Sequence, residues 1–271
     1  MAVTGVASAQ VTLSGTYNLD VQNSPTVKGA SVGAGDAILS FSAAEDLGGG
    51  MKLNMNTTIQ AAAGRSGAAT GNGHSLSVSG GFGTIGLQNY LVGSALLSAG
   101  VSADNDMNDV MGGYVNRNRA YYSLPAVVPG LSVKLAMDSS GASTTTGAAN
   151  RAFLDTSVQS RPKLFVGYTM GAASVDYSSY PGGTYDYALS YDAGIAKVAY
   201  AADGVAQKEW TITAPVGSTL AVGLHNAKNA TTSANGLVAT YTMSKRTKLS
   251  YNYVNQKLTG TNYRMRLSHS F

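Results

Sequence analysis

Residues able to do chemistry are few in this chain, and their spacing does not gather them. His74, His225 and His269 are its three histidines, and they stand far beyond the three-to-five-residue spacing that brings two imidazoles onto one metal. No Gly-x-Ser-x-Gly elbow marks a nucleophile, and no pair of carboxylates is spaced for acid–base work. Gly33-Ala34-Gly35 and Gly48-Gly49-Gly50 are followed by no helical pattern whose N-terminus could cradle a phosphate, so they read as turn glycines. Cysteine is absent, which removes thiolate chemistry and disulfides together. The 18 Lys and Arg against 14 Asp and Glu give a net charge of +4, but the basic residues are dispersed, which argues against nucleic-acid binding. The expectation is a protein without a catalytic centre, metal or cofactor. What the scattered charges can do depends on the elements that carry them.

Only 12% of the 271 residues are charged, about half the usual share for a soluble domain. Hydrophobic residues make up 44%, and Ser, Thr, Asn, Gln, Tyr and 33 glycines fill much of the remainder. That balance suits a chain with one face in lipid and one in water. No run approaches the ~18–20 apolar residues of a membrane-spanning helix, so only a closed barrel of strands could cross a bilayer.

Period-two alternation starts at Gln10. Val11, Leu13, Tyr17, Leu19 and Val21 share one parity, broken only by Gly15, while Thr12, Ser14, Thr16, Asn18, Asp20 and Gln22 take the other. In a strand, successive side chains point to opposite faces, so this segment is apolar on one side and wet on the other. The pattern returns over 51–60, 131–137, 164–170, 185–191, 220–224 and 263–271, and more weakly over 37–43, 75–79, 84–89, 117–124, 173–177, 196–200, 209–214, 237–243 and 248–253. These are about sixteen strands, an even number within the range of bacterial barrels.

Tight turns are expected at 46–50, 80–83, 129–130, 171–172, 192–194, 215–217 and 244–246, and longer polar loops at 23–35, 61–73, 90–116, 139–161 and 227–235. Short connections alternating with long ones characterise outer-membrane barrels. A soluble β-sandwich explains the alternation too, but requires bulky aliphatic side chains packed as a core. The 16 tyrosines, against 5 phenylalanines and 1 tryptophan, instead cluster near strand ends, as interfacial girdles do. One barrel domain over residues 10–271 is expected. Met1–Ala9 ends in the small-x-small triplet Ala7-Ser8-Ala9 and reads as a leader or the remnant of an export signal.

Several stretches resemble Gram-negative general porins of the proteobacterial outer membrane. Glu45-Asp46-Leu47-Gly48-Gly49-Gly50-Met51-Lys52 is similar to that family's E-D-L-G-x-G-L-K turn, and Ser79-Gly80-Gly81-Phe82-Gly83-Thr84-Ile85 to its S-G-G-F-G-T-V turn. Arg119-Ala120-Tyr121-Tyr122-Ser123 resembles the stretch that re-enters the barrel after the constriction loop. Ala239 to Thr247 resembles A-x-Y-x-L-S-K-R-T, and Arg266 to Phe271 the closing G-L-R-H-x-F. Where the family has L-G-R-Q, this chain has Leu87-Gln88-Asn89-Tyr90, and the missing arginine argues against copying the family's eyelet unchanged. The resemblance implies a sixteen-stranded trimeric barrel, a third loop folded into the lumen, and passage of small hydrophilic solutes and ions. It also implies that Phe271 is the signal read by the outer-membrane insertion machinery.

On that reading residues 90–116 bring the acidic Asp104, Asp106 and Asp109 to the constriction. The basic residues of wet-face parity, Arg117, Arg119, Lys134, Lys163, Lys197, Arg264 and Arg266, face the lumen. Opposed charges in a narrow passage with low-dielectric walls focus potential and filter ions. The net charge leans the pore weakly towards anions, although the loop acids oppose this locally. His269 shares parity with Phe271 and belongs at the lipid–water interface. The rival readings are a plugged structural or adhesive surface barrel and a membrane-embedded hydrolase.

Overall fold

The structure, a computed structural model, describes residues 10–24, 27–61, 70–92, 115–139, 160–179, 185–204 and 206–271. Met1–Ala9, and with them the expected leader, lie outside the described residues, as do Asp104, Asp106 and Asp109.

Sixteen strands form one closed antiparallel barrel. In chain order they are β1 (Gln10–Ser24), β2 (Val27–Gly48), β3 (Met51–Ala61), β4 (Thr70–Gly80), β5 (Gly83–Val92), β6 (Val115–Ser123), β7 (Leu131–Ser139) and β8 (Ser160–Met170). They continue as β9 (Ala173–Ser179), β10 (Tyr185–Asp192), β11 (Lys197–Asp203), β12 (Lys208–Val216), β13 (Leu220–Lys228), β14 (Ser233–Thr242), β15 (Thr247–Gln256) and β16 (Gly260–Ser270). Each strand pairs with its neighbours in sequence, and β1 pairs with β16 from Thr16–Ser270 to Asn23–Tyr263. Closure leaves no strand edge unpaired, the condition for putting backbone amides into hydrocarbon.

The distribution of side chains inverts that of a soluble protein. Val11, Leu13, Leu19, Ile85, Leu135, Leu189, Leu224 and Met265 all stand exposed on the outer face, Val11 at 69%. Among the described residues the buried hydrophobic side chains are alanines and two valines, and none is a leucine, isoleucine, phenylalanine or methionine. With no aliphatic core among the described residues and the strands closed into one barrel, the sandwich alternative fails.

Two expected loops are strand instead. Residues 23–35 belong mostly to the β1–β2 hairpin, whose pairing runs to Asn23–Ala30 and Ser24–Val27. The run Gly29-Ala30-Ser31-Val32-Gly33-Ala34-Gly35 has too few bulky side chains to show an alternation, yet its backbone still makes the ladder. Likewise β13 and β14 reach Lys228 and Ser233, leaving a turn in which Asn229 Oδ1 accepts from the amides of Thr231 (2.9 Å) and Thr232 (2.8 Å). A polar composition suited a loop; a single Asx turn sufficed.

All connections at the rim carrying Gln10 and Phe271 are short, at most the seven residues 124–130. Gly130 (φ 81°) illustrates the constraint. A Cβ there would meet the Thr169 carbonyl oxygen at 2.1 Å, because Thr169 N–H donates to Gly130 O at 2.9 Å.

Aromatic side chains gather towards both rims of the outer face. On β9–β11, Tyr177, Tyr185, Tyr187 and Tyr200 form a run with successive ring centroids 6.2, 6.3 and 6.0 Å apart, and Trp210 pairs with Tyr200 in register. At the near rim the Tyr122 hydroxyl donates to Phe82 O at 2.7 Å. His269 sits on the outer face near the same rim, with its Nδ1 3.0 Å from Thr247 Oγ1.

The lumen wall as candidate functional site

Strand parity decides which side chains reach the lumen, and register places them side by side. On β6 to β8, Arg119, Lys134 and Lys163 point inward, with Ala136 opposite Lys163 and Lys134 opposite Phe165. Phe165 organises this block. The Arg119 guanidinium lies 4.5 Å from its ring centroid, and the Lys134 ammonium lies 5.9 Å from it and 5.2 Å from the Tyr121 ring. Arg119 is 8% exposed, so its charge is held against the wall by the ring faces. Arg117 holds an inward position in β6 opposite Tyr90; its side chain lies outside the described residues.

Inward-facing acids follow on the next strands: Asp176 on β9, Asp186 on β10, Asp203 on β11 and Glu209 on β12. Sequence reasoning missed this block. The signal was present, since Val175-Asp176-Tyr177 and Tyr185-Asp186-Tyr187 carry the wet-face parity that selected the basic residues. Asp203 Oδ1 accepts from the amides of Ala206 and Gln207, both at 2.7 Å, and Glu209 accepts from the Gln207 side-chain amide. Lys197 is inward at the near rim and pairs in register with Asp192.

Arg264 and Arg266 face the lumen on β16. Arg266 is locked: its Nε and Nη2 each donate to one oxygen of Asp20 at 2.7 Å, with the two side chains 11% and 12% exposed. A bidentate pair of this kind cancels its own charge, so Arg266 is not a free lumen cation. Gly35 makes the pair possible, because a Cβ there would stand 2.5 Å from Asp20 Oδ2. The β1–β2 register shift between Tyr17 and Leu19 lies at this point.

Between the charged blocks, the inward face of β10–β15 is built of small or polar side chains: Ala188, Ala199, Ala201, Thr211, Gly223, His225, Ala227, Ala234, Val238 and Asn252. All are buried although they point into the bore. His225 stands between Thr211 and Gly236 in register, away from His74 and His269 on the outer face. No group of three or more potential metal ligands exists among the described residues.

A barrel apolar outside, charged and hydroxylated inside, with opposed charge blocks on its inner wall, is built to hold water across a bilayer and to act on what moves through it. Residues 1–263 match the family model described as Gram-negative porin. The chain is a Gram-negative porin. It therefore forms a channel in the bacterial outer membrane. No curated protein matches the sequence. Among solved structures, this porin is similar to engineered variants of the Rhodopseudomonas blastica porin. One with two introduced tryptophans superposes with a TM-score of 0.70 at 12% identity, covering 97% of this chain and 100% of that one. A variant with two basic and two acidic residues replaced by alanine gives 0.71 at 13%, and a triple mutant 0.67 at 12%, with the same coverage. So distant a likeness supports the fold alone, and the sixteen-stranded architecture is what it shares.

Proposed function

We propose that this porin passes small hydrophilic solutes and ions by passive diffusion, catalyses no reaction, and favours anions weakly. The observation that carries the proposal is the inner wall itself, where Arg119, Lys134 and Lys163 form one block and Asp176, Asp186 and Glu209 the next. Near balance on the wall, with a net charge of +4 on the chain, supports a lean and not strict exclusion. Asp104, Asp106 and Asp109 belong to the same proposal as constriction acids. Single-channel steps in planar bilayers are expected, and a folded but silent barrel would favour the plugged alternative. Replacing Arg117 and Arg119 with Ala is expected to move the reversal potential in a KCl gradient towards cations. An unchanged value removes those two from selectivity.

Assembly as a homotrimer is part of the proposal. In register across β3–β6, the outer face carries Thr57, His74, Asn89 and Asn118. His74 Nδ1 and Thr57 Oγ1 share a 3.4 Å hydrogen bond, and Asn89 Nδ2 donates to Asn118 Oδ1 at 2.7 Å. Thr57 is six residues beyond Met51 at the near rim. With ~3.3 Å rise and ~40° tilt the row lies roughly 15 Å up an apolar band of about 25 Å. Lipid offers such groups nothing, whereas a neighbouring subunit can cover them.

A further inference from the structure

We infer that the lumen wall of β7–β9 carries a niche for a small zwitterion of the amino-acid class. A cavity of about 320 Å³ opens there, lined by Ser123, Ser132, Lys134, Phe165, Asp176 and Ser178 among others. Its size is at the lower end of small-molecule sites, ample for one amino acid and some water. Two register rows build it: Ser123, Lys134, Phe165 and Ser178 side by side, then Ser132, Gly167 and Asp176. Gly167 is the floor. A Cβ on it would lie 2.7 Å from both Asp176 Oδ1 and Ser132 Oγ, so any larger residue would push these two groups out of their places.

The two charges in the niche do not satisfy each other. Among the described residues Lys134 contacts the Tyr121 and Phe165 rings but enters no ion pair, and Asp176 has neither an ion pair nor a hydrogen bond. They stand two strands and two residues apart, roughly 12 Å between Cα atoms, so their heads leave a gap that a short molecule can bridge. A carboxylate would take the Lys134 ammonium, and an ammonium group the Asp176 carboxylate. The serine hydroxyls can accept from one or donate to the other, and the Phe165 ring offers a face to the stem between them. An anion alone would meet Asp176 repulsively, and a neutral polyol would leave both charges without partners. The zwitterion satisfies both, and a weak site in a pore speeds entry of dilute solute without trapping it.

The niche presupposes an open channel, and the test separates the two. Purified porin in liposomes is assayed for swelling driven by L-serine and by glycerol over a millimolar range, with KCl conductance measured in parallel. Serine flux is expected to saturate while glycerol flux rises linearly. Lys134→Met and Asp176→Asn are each expected to weaken half-saturation at least about tenfold, as loss of a charge-assisted contact implies. Gly167→Val, which keeps both charges but displaces the Asp176 carboxylate and the Ser132 hydroxyl, should do the same. KCl steps with linear serine flux in the native protein overturn the niche alone. So does saturation that survives in all three variants with intact KCl steps. Absence of KCl steps in the native protein overturns the channel and the niche together.

Discussion

At the scale of single residues, the lumen wall shows that facing the water is not the same as offering a charge to it. Arg266 is neutralised by Asp20 in a two-point contact, whereas Lys134 rests on aromatic rings with no counter-ion among the described residues. Asp20→Asn should therefore release one positive charge into the bore and shift the reversal potential towards anions. Combining it with Arg266→Gln should return the potential close to the native value, since the pair contributes no net charge. A double variant that stays as anion-shifted as the single would refute the neutral-pair assignment. Measured separately in detergent, Asp20→Asn should also lower the unfolding temperature, because a mostly buried guanidinium loses its partner.

At the scale of strands, the seam between β1 and β16 is where the chain must close on itself. Phe271 N–H donates to Gly15 O at 3.0 Å and Gly15 N–H to Phe271 O at 3.1 Å, so the last residue adds a rung to the ladder. A Cβ on Gly15 would lie 2.5 Å from the Phe271 ring and 2.8 Å from the Ile38 carbonyl oxygen. The gap that Gly15 leaves in the outer apolar row is thus filled by the terminal phenylalanine. Gly15→Val is expected to cost about 1–3 kcal/mol, in line with overpacking elsewhere, and to lower the temperature at which the folded band disappears on semi-native gels. Gly33→Ala on the neighbouring strand has nothing within 4 Å and should leave that temperature unchanged. Deleting Phe271 should hinder outer-membrane insertion, assayed as the protease-resistant fraction in cells. It should also loosen the seam of refolded protein, and a deletion variant that inserts and melts normally would argue against both roles.

For the molecule as a whole, stability comes from lipid around an apolar exterior and from a ring of backbone hydrogen bonds, with no buried leucine, isoleucine, phenylalanine or methionine among the described residues. The outer row Thr57, His74, Asn89 and Asn118 interrupts that exterior. Replacing Asn89 and Asn118 together by Leu should leave the barrel folded while shifting the unheated protein from oligomer to monomer on gels. An unaltered oligomer would mean that these strands face lipid. Circular dichroism in detergent should show strand signal and little helix.

Alternation alone determined the architecture here. Because side chains in a strand change face at every residue, the parity of Val11 to Val21 or Met51 to Ile59 is already a statement about which atoms meet lipid, and sixteen such segments imply closure. The same rule placed Arg119, Lys134 and Lys163 in the bore, and applied evenly would have found Asp176 and Asp186. It could not find the second half of the β1–β2 hairpin, where glycine, alanine and serine carry no polarity contrast for a periodicity to show. Tertiary structure alone decided what depends on strands distant in sequence. The Asp20–Arg266 pair spans the closing seam, Gly15 makes room for Phe271, and Gly167 lets Ser132 and Asp176 close in over it. Register across hydrogen-bonded neighbours sets those distances, and a one-dimensional pattern of apolar and polar residues does not encode which residue stands beside which.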